Sequence, residues 1–190
     1  MAHHSRQNYF AYLKQNLGEV PFSVDDGSLG IWKNCRQAWS LHDIDSEFSL
    51  VVQDDAILCR DFLKKAEEVL QEDAVYCLYV GRLRYYKYVK EAKEKGYKSF
   101  FTHHIANEVA IAIRTERIAD MLDYCDKAGA TSDREIHNWA KKRGLKVIYP
   151  MPSLVDHRDD GTLHNLDHGN YRRVATWFAD DLENLRSHTK

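Results

Sequence analysis

The chain has 190 residues, of which 44% are hydrophobic and 29% charged, a composition typical of one folded domain rather than a disordered, collagenous or coiled-coil chain. No apolar run approaches the roughly 18 residues that cross a bilayer, and the amino-terminal residues lack the pattern of a signal peptide, so we expect a cytoplasmic protein with no membrane partner. The net charge of -2, from 27 basic and 29 acidic residues, excludes a strong overall attraction to nucleic acid or to membranes.

Hydrophobic periodicity predicts helices and strands that alternate along the chain. The predicted helices cover residues 5–17, 29–42, 60–71, 115–127, 132–144 and 170–187. The predicted strands cover residues 20–24, 48–52, 75–80, 109–113 and 145–149. Alternation of this kind predicts an α/β fold with a mostly parallel sheet flanked by helices, in a single domain of residues 1–190.

The cysteines are scattered along the chain and form no C-x-x-C pair. This spacing predicts neither a disulfide framework nor a thiolate zinc site. We therefore expect all four thiols to be reduced and to lie in the core or at its boundary: Cys35, Cys59, Cys77 and Cys125.

The strand predicted over residues 48–52 leads to two adjacent carboxylates, Asp54 and Asp55. In open α/β sheets, ligands bind at the carboxyl ends of the strands, where loops gather. Two carboxylates beside a core are costly unless a cation neutralises them, and Mg²⁺ or Mn²⁺ prefers oxygen ligands and is usually shared with substrate phosphates. The pair is therefore a candidate metal site. The alternative is an ordinary polar exit from the strand, with Asp55 capping the element that follows.

Three segments together carry a resemblance to a known enzyme family. A glycine-led helix sequence over residues 27–39 precedes the strand that ends in Gln-Asp-Asp at residues 53–55, and a Pro-Ser-Leu-Val-Asp-His sequence ends at His157. This order resembles the family 25 type of glycosyltransferase and related small phage-type glycosyltransferases, in which the strand ends in Glu-Asp-Asp, a version of the D-x-D motif. The resemblance implies a GT-A-like, Rossmann-like domain that transfers a sugar from a nucleotide-diphosphate sugar, a UDP-sugar being the expected donor, to a hydroxyl group. An enzyme of this kind encoded by a phage acts in the host cytoplasm.

The resemblance also implies roles for particular residues. By position, Asp55 and His157 hold Mn²⁺ or Mg²⁺, which bridges the donor phosphates and neutralises charge on the leaving diphosphate. Contacts with the nucleotide sugar fall to seven further residues: Arg6, Asp25, Asp26, Trp32, Arg36, Gln53 and Asp54. From the residues alone, the two aspartates before Gly27 also fit a plain turn, and the arginines fit a solvated helix face.

The chain departs from the family pattern at two points. Gln53 stands where the family commonly has Glu, which weakens any ribose contact made by that carboxylate, although an amide still hydrogen-bonds a hydroxyl. A GT-A sheet normally opens with a strand, and no clear strand pattern precedes the first predicted helix. We expect a first strand that is either very short or missing.

A candidate general base is Asp133, at the predicted start of the helix over residues 132–144. In inverting enzymes of the GT-A type, an acidic residue in a comparable place deprotonates the acceptor hydroxyl, which is general base catalysis. The alternative is that Asp133 only complements the dipole of this helix, whose sequence from Ser132 to Glu135 matches a capping box.

The basic aromatic segment, residues 82–98, differs in charge from the rest of the chain. Seven basic residues less two acidic ones leave a local charge of +5, and four tyrosines are interleaved with them. Cations for phosphates and aromatic rings for unstacked bases are the groups that bind nucleic acids. Arg82, Arg84 and Lys87 are therefore candidate DNA-binding residues, and the phage enzymes that this chain resembles suggest a 5-hydroxymethylpyrimidine in DNA as the acceptor. The alternative is a solvated lysine-rich helix whose tyrosines pack inward.

Other functions fit parts of the sequence. A glycosyltransferase that acts on a glycan or a small molecule needs no DNA contact. His103 and His104, with the run of residues 157–160, permit a metal-dependent phosphohydrolase, although the sequence holds no H-E-x-x-H or comparable local ligand pair. The basic aromatic segment also permits a noncatalytic nucleic-acid-binding module.

Overall fold

A five-stranded mixed sheet forms the centre of this small α/β domain. The computed structural model describes residues 1–81, 85–131, 134–158 and 174–180. In chain order its elements are β1 (Ala2–His3), a 3₁₀ segment (His4–Tyr9), α1 (Phe10–Leu17), β2 (Val24–Asp25), α2 (Gly30–Ser40), β3 (Phe48–Val52), β4 (Ala56–Leu58), α3 (Phe62–Val69), β5 (Val75–Cys77), α4 (Tyr86–Lys95), β6 (Ser99–Thr102), β7 (Ala110–Arg114), a 3₁₀ turn (Thr115–Arg117), α5 (Ile118–Lys127), α6 (Arg134–Lys142), β8 (Val147–Pro150) and β9 (Val155–His157).

The central sheet has the strand order β3-β7-β5-β8-β6. Strand β7 is antiparallel to both of its neighbours, β3 and β5, while β5 is parallel to β8 and β6 is antiparallel to β8. The expected mostly parallel sheet is therefore not observed, because periodicity reveals where a strand lies but not its direction. Strands β3, β5 and β8 nevertheless run in the same direction, so their carboxyl ends gather at one edge of the sheet. We call this the carboxyl edge.

Both faces of the sheet are covered, as the continuous apolar runs of its inner strands predict. Successive side chains of β7 alternate between two hydrophobic clusters: Ile111 and Ile113 face one, and Ala110 and Ala112 the other. The first cluster includes residues of helices α2, α5 and α6: Trp39, Met121, Ile136 and Trp139. The second includes residues of β4, α3 and the segment 174–180: Leu58, Phe62 and Phe178. The four cysteines are free and buried, as expected.

The first strand, which we expected to be either very short or missing, is present and very short. Ala2 and His3 form a strand of two residues that pairs in parallel with Val24 and Asp25. The amino group of Met1 donates a hydrogen bond of 2.9 Å to the carbonyl of Val52, so β1 lies beside the end of β3. A strand this short produces no detectable alternation in the sequence.

The helix predicted over residues 170–187 is wrong in its described part, because residues 174–180 are not helical. The backbone N–H of Thr176 donates to the carbonyl of Val80, and Trp177 accepts from the N–H of Ser153. Phe178 forms a β-bridge with Ser153 and is buried in the second hydrophobic cluster. These backbone groups bond to the buried residues Val80 and Ser153, and Phe178 is buried beside them, so tertiary packing overrides the local helical pattern.

Candidate functional site

The two carboxylates Asp54 and Asp55 lie at the carboxyl edge, in the turn that joins β3 to β4. The N–H of Ala56 donates to the carbonyl of Gln53 at 3.2 Å, which closes this turn. Both aspartates are buried, with 4% and 8% of their surface exposed. The sequence prediction of an acidic strand end is therefore confirmed, and burial means that each negative charge needs a partner.

A second, two-stranded sheet brings His157 to Asp55. Strand β9 is antiparallel to β4, with His157 opposite Ala56. The N–H of Arg158 also donates to the backbone carbonyl of Asp55 at 2.8 Å. As a result His157 Nε2 lies 3.3 Å from Asp55 Oδ2, although the two residues are about a hundred positions apart in sequence. The two proposed metal ligands are neighbours in space.

Arg6 is the third charged group of this cluster. It lies in the 3₁₀ segment after β1, and its Nη1 is 2.9 Å from Asp54 Oδ1 and 2.6 Å from Asp55 Oδ2. The N–H of His3 donates to the other oxygen of Asp54 at 2.7 Å. The short first strand thus places both a guanidinium and a backbone donor on the acidic pair. We call this cluster the acidic site; it consists of Arg6, Asp54, Asp55 and His157.

Opposite charges set the protonation of this site. Burial alone would raise the pKa of Asp55, but the hydrogen bond and charge of His157, together with the charge of Arg6, lower it below its ordinary value. Burial alone would lower the pKa of Arg6, but the carboxylates of Asp55 and Asp54 raise it. Asp55 is therefore an anion and Arg6 a cation.

The donor set of the acidic site fits a hard divalent cation. Within the described part of the chain, the buried atoms Asp55 Oδ1 and His157 Nδ1 have no hydrogen-bond partner. The described residues contain no cluster of three or more His, Cys, Asp or Glu side chains that could hold a metal. Mg²⁺ typically takes one or two carboxylates from the protein and fills its other positions with water and substrate phosphates. Asp55 and His157 suit an ion of that kind, and they do not suit a closed structural zinc site.

Asp25 and Asp26 build the turn that starts helix α2. The carboxylate of Asp25 accepts hydrogen bonds from the backbone N–H groups of Gly27, Leu29 and Gly30, at 2.8 to 3.1 Å. Burial alone would raise the pKa of Asp25, but these three donors lower it. Asp26, which is exposed, accepts from the N–H of Ser28. The turn alternative therefore describes both residues, and the glycines supply the positive φ angles (100° at Gly27, 76° at Gly30) that wrap the chain around Asp25.

Trp32 and Arg36, which the resemblance assigns to the nucleotide sugar, instead bind a carboxylate of helix α5. The indole N–H of Trp32 lies 3.3 Å from Asp126 Oδ1, and Trp32 is buried in the first hydrophobic cluster. Arg36 Nε donates to the same carboxylate at 2.8 Å. Both residues therefore join α2 to α5 rather than contact the acidic site. Gln53 is held by its backbone N–H, which donates to the carbonyl of Val109 at 2.8 Å.

Ser153, in the Pro-Ser-Leu-Val sequence before His157, has a structural role that sequence analysis did not predict. Ser153 is fully buried, and its hydroxyl accepts from the N–H of Val80 at 3.1 Å. The hydroxyl also lies 3.0 Å from the carbonyl of Leu78 and 2.7 Å from that of Val155. Ser153 therefore ties the start of β9 to the chain that leaves β5, and so positions His157.

Arg158 is another residue that sequence analysis did not single out. Its guanidinium lies 4.5 Å from the ring centre of Tyr9 and 4.9 Å from that of Tyr12, in a cation–π arrangement. Arg158 is buried, with 8% of its surface exposed. Nothing in its sequence spacing predicts this contact, because the tyrosines lie at the other end of the chain.

The described part of the basic aromatic segment borders the carboxyl edge at Lys98. The carbonyl of Lys98 accepts from the N–H of Met151 at 2.8 Å, just after β8 ends. Most of it forms helix α4, and Lys87 is exposed there. Arg82 and Arg84 lie outside the described residues, as does Asp133, although α6 begins at the next residue.

The aromatic side chains of this region divide into two sets. Tyr88, Phe100 and Tyr149 stack on one another, with ring centres 5.1 and 5.0 Å apart. Tyr85, which is 4% exposed, packs inward as the helix alternative describes, whereas Tyr88 is 45% exposed. A second set is at least half exposed: Tyr86, Tyr97 and Phe101. These exposed rings are accompanied by cations, since Lys95 Nζ lies 5.7 Å from the ring centre of Tyr97 and Lys146 Nζ lies 5.8 Å from that of Phe101.

The histidines behind the phosphohydrolase alternative form no metal cluster within the described residues. The His104 ring stacks on that of His137, 5.0 Å between centres, and the N–H of Ile105 donates to His137 Nδ1 at 3.2 Å. His103 is exposed. Neither histidine joins His157 at the acidic site.

No protein-family model matches the chain, and no curated protein is significantly similar to it. Among the described residues, no helix is both long enough and apolar enough to cross a membrane.

Proposed function

We propose that the protein is a metal-dependent glycosyltransferase that moves a sugar from a nucleotide-diphosphate sugar to a hydroxyl group. One observation carries the proposal: the acidic strand end and the late histidine, which the resemblance pairs as metal ligands, lie 3.3 Å apart at the carboxyl edge. A chance likeness in two short motifs gives no reason for their side chains to meet. We also propose that the α/β domain has a GT-A-like fold.

Asp55 and His157 would hold Mn²⁺ or Mg²⁺, and the bound ion would neutralise the charge that develops on the leaving diphosphate. Arg6 lies 2.6 Å from Asp55 and has the planar fork of donors that suits a diphosphate. Asp54 orients Arg6 and accepts from the backbone of β1. We propose Asp133, which directly precedes α6 in the sequence, as the general base that deprotonates the acceptor hydroxyl.

The acceptor that the charge distribution favours is DNA that carries a 5-hydroxymethylpyrimidine. The basic aromatic segment supports this choice, because it borders the carboxyl edge and exposes Lys87. Helix α4 also carries internal ion pairs: Lys95 Nζ lies 2.6 Å from Glu91, and Lys90 Nζ lies 3.8 Å from Glu94. These pairs reduce the charge offered to phosphates. Arg82, Arg84 and Lys87 at the start of the segment therefore carry most of the proposed DNA contact.

The test combines donors, acceptors and variants. The full chain is incubated with Mn²⁺, a panel of UDP-sugars, and DNA that contains 5-hydroxymethylcytosine or 5-hydroxymethyluracil, and the nucleosides are analysed by mass spectrometry. We expect a hexose or pentose to be added by the wild type and not by Asp55→Ala. The matched control is Asp123→Ala, which removes an exposed carboxylate from a surface ion pair with Lys127. If no UDP-sugar is transferred or hydrolysed under any condition, the proposal fails.

The acceptor is tested separately from the donor reaction. Lys87→Ala, alone and combined with Arg82→Ala and Arg84→Ala, should reduce transfer to DNA and leave hydrolysis of the UDP-sugar unchanged. Lys127→Ala is the matched control, since it removes an exposed lysine elsewhere. Equal losses in both reactions would mean that the segment is structural and that the acceptor is not DNA.

A further inference from the structure

One oxygen of the acidic site has two cationic or metal-binding groups competing for it. Asp55 Oδ2 lies 2.6 Å from Arg6 Nη1 and 3.3 Å from His157 Nε2. It is therefore both the oxygen that neutralises Arg6 and the oxygen that stands closest to the proposed second metal ligand. A metal ion that binds either oxygen of Asp55 together with His157 must share this carboxylate with the guanidinium or displace the guanidinium from it.

Sharing is unfavourable because the site is poorly hydrated. The side chain of Arg6 is 15% exposed, that of Asp55 11% and that of Asp54 6%. Two cations held on one carboxylate away from water repel each other strongly. Arginine does not lose its proton in proteins, so it cannot relieve the repulsion by becoming neutral. The guanidinium has to move.

A displaced guanidinium needs a new anionic partner, and a nucleoside diphosphate supplies one. Arginine binds phosphate oxygens bidentately, through two parallel hydrogen bonds. Arg6 also lies at a break in its 3₁₀ segment, where its φ of -112° and ψ of 25° are not helical. Its side chain is therefore mounted on an irregular part of the backbone, beside the proposed metal ligand Asp55.

We propose that Arg6 is a built-in counter-ion of the acidic site, which excludes a bare divalent cation and releases Asp55 when metal and nucleoside diphosphate arrive together. This inference rests on the proposed function for the identity of the two ligands. Its consequence is reciprocal coupling: the nucleotide tightens metal binding, and the metal tightens nucleotide binding, by the same factor. The free protein would thus hold little metal in the absence of its donor.

The experiment measures Mn²⁺ binding to the full chain from the electron paramagnetic resonance signal of free Mn²⁺, with and without UDP. A protein-free sample gives the amount of Mn²⁺ that UDP binds in solution. We expect UDP to tighten Mn²⁺ binding to the wild type by at least about fivefold, within the usual range of coupling between sites. Arg6→Ala should bind Mn²⁺ alone at least about tenfold more tightly than the wild type, and its gain from UDP should shrink by a similar factor.

The matched control is Arg117→Ala, which removes a guanidinium that pairs with Asp73 on the surface. It should leave both Mn²⁺ affinities unchanged. Equal Mn²⁺ affinity of the wild type and Arg6→Ala, or weaker binding by the variant, would overturn the inference.

A second measurement keeps the test valid where the variant is poorly stable. Arg6→Ala leaves two buried carboxylates without their cation, so its thermal midpoint should fall, and Mn²⁺ should raise that midpoint more than it raises that of the wild type. Arg6→Gln, which keeps much of the side-chain volume, should behave in the same way. Failure of Mn²⁺ to stabilise either variant more than the wild type would also overturn the inference.

These binding measurements do not depend on turnover, so the two proposals can fail independently. Competition between Arg6 and Mn²⁺ without any sugar transfer would support the counter-ion and remove the transferase. Sugar transfer with unchanged Mn²⁺ affinity in Arg6→Ala would support the transferase and remove the counter-ion.

Discussion

Replacing Ser153 with alanine should destabilise the protein by about 2 kcal/mol, because a single hydroxyl joins three backbone groups in the core. Ser153 is fully buried, and Val80, whose N–H it accepts, is 1% exposed. Removal of the hydroxyl leaves this N–H without its acceptor, which costs about 1–3 kcal/mol for a buried donor. The hydroxyl also gives up its own hydrogen bond to the carbonyl of Leu78 or Val155, worth about 0.5–1.5 kcal/mol. Relaxation around the small cavity offsets part of the sum.

The assay is equilibrium unfolding in urea, with the slope of free energy against urea concentration compared between variants. A loss of about 2 kcal/mol corresponds to a fall in the melting temperature of about 4–8 °C for a domain of this size. The matched control is Ser40→Ala, which removes an exposed hydroxyl bonded to the carbonyl of Arg36 at the end of α2. Surface changes of this kind stay within about 0.5 kcal/mol.

Two results would refute the reasoning about Ser153. One is a loss no greater than that of the Ser40→Ala control, which would mean that water or a backbone shift satisfies the freed N–H of Val80. The other is the predicted loss of about 2 kcal/mol with unchanged Mn²⁺ binding in the presence of UDP. That result would mean that Ser153 supports the core without positioning His157.

Three further predictions concern the rest of the domain. Asp120→Ala should cost about 1–3 kcal/mol, because it removes the acceptor of the indole N–H of the fully buried Trp139. Arg143→Ala breaks only a half-exposed ion pair to the same carboxylate and should cost under about 1 kcal/mol. Equal losses of the two variants in urea unfolding would contradict this prediction. Hydrogen bonds from Arg143 and Trp139 lower the pKa of Asp120 to about 2. The stability that ionised Asp120 contributes is therefore present above about pH 4 and is lost as the pH falls toward 2. In thermal melts over this interval, Asp120→Ala should lose less stability than the wild type. All four thiols are buried, and burial raises the pKa of Cys59 to about 11. A thiol reagent at pH 8 should therefore label none of the four cysteines in the native protein and all of them in urea. Rapid labelling of the native protein would contradict the structure.

Much of the fold follows from local patterns in the sequence. The β-branched run at residues 48–52 is a strand with these bounds, and the helix predicted over 29–42 is observed as Gly30–Ser40. Both elements are long enough for their periodicity to be read. Strands β1, β4 and β9 have two or three residues each, too few for alternation to be visible. Their existence depends on pairing partners that are distant in sequence.

The direction of the strands could not be predicted in the same way. Strand β7 has the apolar sequence of a buried strand, which is the same in either direction. Its antiparallel position between β3 and β5 is decided by the path of the loop over residues 103–109. The N–H of Ala106 donates to the hydroxyl of Tyr149, and that hydroxyl donates to the carbonyl of His104. These contacts hold the loop across the sheet.

For the candidate site, the sequence by itself determined the chemistry that is present: two carboxylates at a strand end, a histidine after a Pro-Ser-Leu-Val run, and a basic aromatic segment. Only the tertiary structure decided which of these groups meet. Asp55 meets His157 because β9 pairs with β4, and it meets Arg6 because β1 lies beside the end of β3. Trp32 and Arg36, which have equally suggestive sequence positions, meet Asp126 instead. Spacing along the chain constrains neighbours within one helix or strand, whereas contacts between elements depend on how the whole core packs.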